Sequence, residues 1–160
     1  MHNSLERIEL NGISFGSDTC IDEVLGNPQF HPFKDNDGHI DIFSSEQVCV
    51  DGYTFNIEVT FHDKQIDTIE LVPVNLIIDD QGYPDKEYQE EKKKVADAFL
   101  RKHLGNPSEE TEAILCYDFE WGSVISVSYL SGRNKYTGGF IAISYRDHGR
   151  GDHAENARSV

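Results

Sequence analysis

The chain has 160 residues, of which 38% are hydrophobic, and its aromatic residues are nine Phe, seven Tyr and one Trp. This is the composition of a globular chain that can bury a core, and it excludes an intrinsically disordered protein. The 14 basic and 29 acidic side chains give a formal net charge of −15, which would repel a phosphate backbone, so we expect no direct nucleic-acid partner.

The first part of the chain predicts two short strands and a short helix. The Asn-Gly pair at residues 11–12 is a turn former between the two strands. Apolar residues at three- and four-residue spacing over 20–25 predict a helix, and the N-cap candidates are Ser17, Asp18 and Thr19, the last with Asp22 three residues later as in a capping box. Gly26 is expected to end this helix in the left-handed conformation, and Pro28 prevents its resumption.

The middle of the chain contains the clearest strand pattern. Residues 53–61 alternate strictly between apolar and polar side chains, which predicts a strand with one buried face. The Asp-Gly pair at 51–52 predicts a two-residue hairpin turn before this strand. A second turn at 62–65 leads to a returning strand over 66–72. The polar run at 79–84 is typical of a linker between two halves.

The second half begins with a longer predicted helix over residues 85–104, which has an apolar stripe and favourable i,i+4 ion pairs. The tetrapeptide LGNP ends it at 104–107, and the same tetrapeptide ends the first helix at 25–28. Three strands follow, because apolar and polar residues alternate again. The apolar stripes of these strands are assigned to Leu115, Tyr117, Phe119 and Trp121; to Ile125, Val127 and Tyr129; and to Ile141, Ile143 and Tyr145.

Both halves therefore predict a helix, an LGNP stop and a three-strand antiparallel meander. We expect an α+β protein made of two such tandem helix-plus-three-strand units. Residues 1–80 would form an acidic first repeat, and residues 81–145 a second repeat with the longer helix. The tail 146–160 has almost no apolar residue and is expected to be disordered.

The stretch FGSDTCIDEVLGNP at residues 15–28 resembles the Gly-x-Ser/Thr…Val…Leu-Gly-x-Pro signature of the small outer-membrane assembly lipoproteins. Together with the second LGNP it is also similar to the repeats of the beta-lactamase inhibitory proteins, in which two tandem α/β units present a sheet surface to a target enzyme. The resemblance implies a fold of this type. It does not imply the compartment of those families, because no signal peptide, lipid-anchor cysteine or disulfide pairing is evident.

No catalytic or metal-binding motif occurs at the required spacing. The run GISFG fits the G-x-S-x-G formula, but too few residues precede Ser14 to build the sheet that a nucleophile elbow needs. The run DNDGH would place Phe33 where a calcium loop requires a carboxylate. The seven histidines include no HExxH and the three cysteines no CxxC. We expect no enzyme, cofactor or metal, although linear spacing does not test a Cys–His pair that meets only in the fold.

The expected compartment is the cytoplasm. The N-terminal sequence MHNSLERIEL contains no apolar run of a secretory signal. No stretch approaches the roughly 18–20 apolar residues that a membrane helix needs, so no membrane partner is expected. Cys20, Cys49 and Cys116 are an odd number without a close pair, and we expect them to be reduced and dispensable for activity.

The acidic charge is concentrated in the first half. Residues 1–80 contain three basic and 16 acidic side chains, whereas residues 81–160 contain 11 and 13. Such segregation indicates a recognition surface for a basic protein. We therefore predict a cytoplasmic protein-binding inhibitor, most specifically an immunity protein that neutralises a cognate bacterial toxin domain. The predicted contact residues are Asp35, Asp37, Asp41, Asp51, Glu58, Asp63, Asp67 and Glu70.

Two alternative functions stay open. A small-ligand-binding domain or small enzyme would use a pocket between the two meanders, with Tyr53, Trp121 or Tyr129 in its wall. An assembly partner in a larger complex would use the same sheet surface without inhibiting anything. A toxin gene immediately upstream would favour the inhibitor over both.

Overall fold

The computed structural model describes residues 5–10, 12–34, 39–44, 47–74, 86–128 and 138–145. Within these ranges the chain forms two helices and a larger number of strands. The helices are α1 (Ile21–Leu25) and α2 (Lys86–Leu104). The strands are β1 (Ile8–Leu10), β2 (Ile13–Phe15), β3 (Phe30–Lys34), β4 (His39–Ser44), β5 (Val48–Val50), β6 (Tyr53–His62), β7 (Gln65–Pro73), β8 (Glu109–Glu110), β9 (Ile114–Phe119), β10 (Gly122–Ser128) and β11 (Gly138–Tyr145). Neither helix is long and apolar enough to cross a membrane in the part of the chain described.

A single antiparallel sheet of nine strands organises the molecule. Its order is β3-β4-β6-β7-β11-β10-β9-β8, and β5 pairs with β6 at the end that β4 leaves free. Strands β1 and β2 form a separate hairpin. At the centre, β7 pairs with β11, so that Ile69 lies opposite Ile143 and Leu71 opposite Ile141. Backbone hydrogen bonds therefore join the first half of the chain to the second.

The predicted pair of helix-plus-three-strand units is wrong, because the described residues form one sheet and one core. The two helices are also not equivalent. Helix α1 has five residues and contacts β3, whereas α2 has 19 residues and packs on β7, β10 and β11, strands from both halves. Local alternation predicts individual strands but does not specify which distant strands pair. The predicted linker at 79–84 and tail at 146–160 lie outside the described residues.

The core lies between one face of the sheet and the elements packed against it. Phe99 of α2 is fully buried, and its ring centroid lies 5.1 Å from that of Phe55 and 5.4 Å from that of Tyr53. Near the other end, Phe15 of β2 packs edge-on against Phe30, with centroids 5.7 Å apart. Helix α2 and the N-terminal hairpin thus cover the same face, the one that carries the apolar residues of β6.

The two LGNP tetrapeptides end their helices differently. Gly105 has a φ of 78°, and its N–H donates to the Arg101 carbonyl oxygen at 3.0 Å, as in a left-handed C-cap. Gly26 has a φ of −74°, in the right-handed region, so the left-handed cap predicted there is wrong. Instead the side-chain Oδ1 of Asn27 accepts a hydrogen bond from the Gln29 N–H at 2.9 Å and forms a local turn.

The start of α1 also differs from the prediction. Its N-cap is Cys20, without a side-chain capping hydrogen bond. The Thr19 hydroxyl oxygen instead accepts a hydrogen bond from the Gly16 N–H at 2.9 Å and holds the loop after β2. Cys20, Cys49 and Cys116 belong to separate elements, and none of them forms a disulfide.

Two turns set the register of β6, and both are confirmed predictions. Asp51 and Gly52 have φ values of 50° and 84° in the β5–β6 turn, the positive pair that a type I′ hairpin requires. Asp63 and Lys64, with φ of 49° and 69°, turn the chain from β6 into β7. The resulting register fixes which polar side chains of β6 and β7 meet.

Candidate functional site

The sheet has a second face, which we call the open face. Helix α2 and the β1–β2 hairpin pack on the opposite face, and none of the described elements packs on this one. Strand register assigns its side chains. The open face includes Asp41, Asn56, Glu58, Thr60, Thr68, Glu70, Val72, Glu109, Ile114, Cys116, Asp118, Ser123, Ile125, Val127, Phe140, Ala142 and Ser144.

Two glutamates lie side by side at the centre of the open face. Glu58 of β6 is directly opposite Glu70 of β7, and Glu70 is directly opposite Ala142 of β11. Side chains in such pairs have Cβ atoms about 4.5–5.5 Å apart. Like charges in this arrangement repel, so a directly opposed Glu pair destabilises the pairing of the two strands.

Asp41 of β4 adds a third carboxylate. It lies opposite Thr60, whose hydroxyl donates a hydrogen bond to Asp41 Oδ1 at 2.9 Å. This hydrogen bond holds Asp41 one position diagonal to Glu58. We call Asp41, Glu58 and Glu70 the acidic cluster.

The two glutamates of the acidic cluster have raised pKa values and bind protons more tightly than ordinary carboxylates do. Burial, followed by the charges of Glu70 and Asp41, raises the pKa of Glu58 from 4.5 to about 7. Burial and the charge of Asp41 also raise the pKa of Glu70. Desolvation and like charge both disfavour the ionised form. A cation placed over the cluster would have the opposite effect and favour ionisation of both glutamates.

The eight predicted contact residues do not form one surface. Three of them, Asp41, Glu58 and Glu70, come together in the acidic cluster. Asp51 lies apart, at the C-terminal end of α2, where its Oδ2 is 3.3 Å from His103 Nε2 and 3.5 Å from Lys102 Nζ. The Lys102 ammonium suits the C-terminal end of a helix, and through these two contacts Asp51 links the β5–β6 turn to α2.

The remaining predicted residues are elsewhere. Asp63 is in the β6–β7 turn, with Oδ2 3.4 Å from His62 Nε2. Asp67 is exposed at the bulge that follows Thr60 in the β6–β7 pairing. Both lie at the turn end of the β6–β7 hairpin. There the Lys64 carbonyl oxygen accepts a hydrogen bond from the Ile21 N–H of α1. Asp35 and Asp37 lie outside the described residues.

The sequence prediction missed the apolar part of the open face. It assigned Ile125 and Val127 of β10 to the buried stripe. Val127 is buried, but Ile125 is only half-buried, and strand register places both on the open face rather than towards the core. In the structure Val124 and Ser126 face the core and are fully buried, whereas Ile125 lies opposite Ala142 on the open face. Alternation is ambiguous in β10 because both faces carry Val or Ile. The prediction placed the serines of β10 on the outward face, but Ser126 faces the core.

We call the half-buried apolar side chains of the open face the apolar patch. They come from β7, β11, β10 and β9, and the patch adjoins the acidic cluster because Ala142 is paired with Glu70. The members of the apolar patch are Val72, Ile114, Ile125, Phe140 and Ala142.

The residues predicted to line a pocket between the halves are packed elsewhere. Tyr53 contacts Phe99 in the core, and Trp121 stacks on Phe119 with ring centroids 5.0 Å apart. Tyr129 lies outside the described residues. In the part of the chain described, β7 and β11 hydrogen-bond where the halves meet, so the joint is continuous sheet.

A shallow surface groove accompanies the first LGNP, and it offers little chemistry. Its volume is about 550 Å³. Glu23 is the one ionisable side chain among its lining residues, which are Ile13, Glu23, Gly26, Asn27, Pro28 and Gln29. Within the described ranges, no group of three or more His, Cys, Asp or Glu side chains is arranged to hold a metal ion.

No protein family, curated protein or solved structure matches this chain. The resemblance of residues 15–28 to the outer-membrane assembly lipoproteins and the beta-lactamase inhibitory proteins therefore stays a prediction. The function has to be argued from the charge and shape of the open face.

Proposed function

We propose that this protein is a cytoplasmic protein-binding inhibitor, an immunity protein that neutralises a cognate bacterial toxin by covering a basic surface of that toxin with its open face. The observation that supports this most directly is the acidic cluster of Asp41, Glu58 and Glu70 on a sheet face that none of the described elements covers. The net charge of −15 acts in the same direction.

The basic charge expected of the partner gives the physical reason for this role. Toxins that cleave or modify nucleic acid need basic clefts to hold phosphates. An acidic protein approaches such a cleft under long-range attraction, which raises the association rate. An ion pair formed over the half-buried cluster is stronger than one at a fully exposed position, because fewer water molecules screen it.

The size of the open face suits this role. Six strands from β4 to β9 span about 24 Å at the usual strand spacing, and strands of six to ten residues are about 20–33 Å long. The resulting area is on the order of 500–800 Å², close to the roughly 800 Å² that each partner contributes to a standard interface.

The test is affinity capture from the native host, followed by an activity assay of the captured protein. We expect the wild-type protein to retain a basic protein whose activity falls to zero at about one equivalent of the inhibitor. The double variant Glu58→Gln, Glu70→Gln should lose most of this retention. It should still fold, because the substitution removes a repulsion. Glu112→Gln, at an exposed position between β8 and β9, is the matched control and should bind as the wild type does.

Two results would contradict the proposal. One is that no basic protein is retained by the wild type. The other is that the double variant retains it as well as the control does. Retention of a basic protein whose activity is unchanged by binding would instead identify an assembly partner.

A further inference from the structure

The open face combines two kinds of surface that adjoin each other. The acidic cluster occupies β4, β6 and β7, and the apolar patch occupies β7, β11, β10 and β9. Ala142, in the apolar patch, is directly opposite Glu70 on one side and Ile125 on the other. A single row across three neighbouring strands therefore passes from carboxylate to aliphatic side chain without a break.

The apolar patch is unusual for this chain. Leu25 on α1, with 45% of its surface exposed, is the one exposed large hydrophobic residue in the described ranges, and it is a single residue. The apolar patch is instead contiguous across four strands, and contiguous apolar surface of this kind marks interaction sites in soluble proteins.

The charge of the open face indicates what covers it. Its described acidic residues are Asp41, Glu58, Glu70, Glu109 and Asp118, and none of the described residues assigned to it is a Lys or Arg. A second copy of the chain would bring an identical acidic face and a further net charge of −15, so the copies would repel each other. The occupant must therefore be a different, basic protein.

We propose that the open face binds a protein surface on which an aliphatic or aromatic side chain adjoins a Lys or Arg side chain, with the apolar group over Ile125 and Ala142 and the cation between Glu58 and Glu70. This inference rests on the proposed function and specifies the chemistry of the partner. The apolar contact contributes affinity, and the cation fixes the position of the partner on the sheet.

Binding of this kind is coupled to proton release. The titratable groups that face Glu58 among the described residues are Asp41 from β4 and Glu70 from β7, and the open-face residues of β11 (Phe140, Ala142 and Ser144) are uncharged. Without the partner, the pKa of Glu58 is about 7. A bound cation lowers it, so affinity should rise about tenfold between about pH 6 and about pH 8, the change expected for release of one proton.

Two synthetic peptides test the surface directly. One is an amphipathic helix of about 14 residues made of Leu and Lys, which spans about 20 Å. The other has Ser in place of every Leu and the same charge. We expect the Leu–Lys peptide to bind at least about tenfold more tightly, as measured by isothermal titration calorimetry. Ile125→Ser, or the strand-compatible Ile125→Thr, should remove most of this difference, whereas Leu25→Ser is the matched control and should leave it unchanged.

The pH dependence gives a second readout. The Leu–Lys peptide should bind more tightly as the pH rises through 7 in the wild type. The double variant Glu58→Gln, Glu70→Gln should bind it more weakly and without this dependence. Circular dichroism of each variant verifies that it is folded.

Three results would overturn the inference. They are equal affinity for the two peptides, equal weakening by Leu25→Ser and Ile125→Ser, and self-association through the open face. The peptides contain no toxin, so this inference can fail while capture of an inhibited toxin succeeds. In that case the partner would bind through charge alone.

Discussion

Glu58 is the residue whose environment in the structure bears most directly on the proposed function. It lies on the face of β6 on which none of the described elements packs, yet its pKa is about 7 because of burial and the charges of Glu70 and Asp41. The folded-state pKa lies above the ordinary value of 4.5, so the folded protein binds this proton more tightly than the unfolded chain. The stability that the group contributes is therefore complete below pH 4.5 and is lost as the pH rises through 7.

Glu58→Gln should stabilise the protein in a pH-dependent way. We expect the free energy of unfolding to increase by about 1 kcal/mol at pH 8, a value reduced from the full pKa shift because solvent screens the half-exposed side chain. At pH 5 the gain should be smaller, because the wild-type carboxyl is then protonated. Urea denaturation at the two pH values measures this, with Glu112→Gln as the control. A gain that is equal at both pH values would contradict the assigned pKa.

The sequence predicted where Glu58 points but not what it meets. Nine alternating residues placed Glu58 on the polar face of its strand, and the structure confirms this placement. Its neighbours Glu70 and Asp41 depend on strand register and on the β6–β4 pairing. Register follows from turn geometry and a bulge, which alternation alone does not encode.

At the scale of elements, the two LGNP segments show how context changes the conformation of one tetrapeptide. The long helix α2 ends on a left-handed Gly105, whereas the five-residue α1 ends on a right-handed Gly26. Helix α2 has 19 residues and packs on β7, β10 and β11. Helix α1 is a single turn, and Asn27 takes over the local hydrogen bonding.

Alanine at these two glycines should have opposite effects. Gly26→Ala should be neutral or stabilise the protein by about 0.5 kcal/mol, because the backbone is right-handed and alanine reduces the entropy of the unfolded chain. Gly105→Ala should destabilise it by about 1 kcal/mol or more, because φ is 78°. Thermal or urea denaturation of both variants provides the comparison. Equal effects would show that the two ends have the same conformation.

Strand β10 shows where sequence patterns fail at the element scale. The prediction gave three strands after α2, and β9, β10 and β11 confirm that number of long strands there. The face of β10 was assigned wrongly, because a strand at the centre of the sheet next to β11 carries apolar residues on both faces. For this reason sequence alternation did not predict the apolar patch, although the patch is half of the candidate site.

At the scale of the whole molecule, the pairing of β7 with β11 makes the sheet continuous and gives the protein one core. This pairing connects residues far apart in the chain, and neither composition nor periodicity specifies it. The predicted tandem units are wrong because β7 and β11 join the two halves of the chain into one sheet. The acidic half contributes the cluster and Val72, and the more neutral second half contributes the rest of the apolar patch.

A shared core predicts a single cooperative unfolding transition. Fluorescence of Trp121, in the second half, should change at the same urea concentration as the far-ultraviolet circular dichroism of all strands. A substitution in the first half, such as Phe55→Ala, should shift both curves together and cost about 3–5 kcal/mol, because Phe55 is fully buried. Two separate transitions would show that the halves fold independently.

The central claim is that the open face steers and holds a basic partner, and association kinetics test it most directly. The association rate constant of the captured partner should be measured from about 10 mM to about 500 mM salt. Over this range the Debye length falls from about 30 Å to a few ångströms, and steering is lost. We predict a steep decrease for the wild type, and about tenfold slower association at low salt for Glu58→Lys but not for Glu112→Lys. A rate constant that does not depend on salt, or equal slowing by both substitutions, would contradict the account.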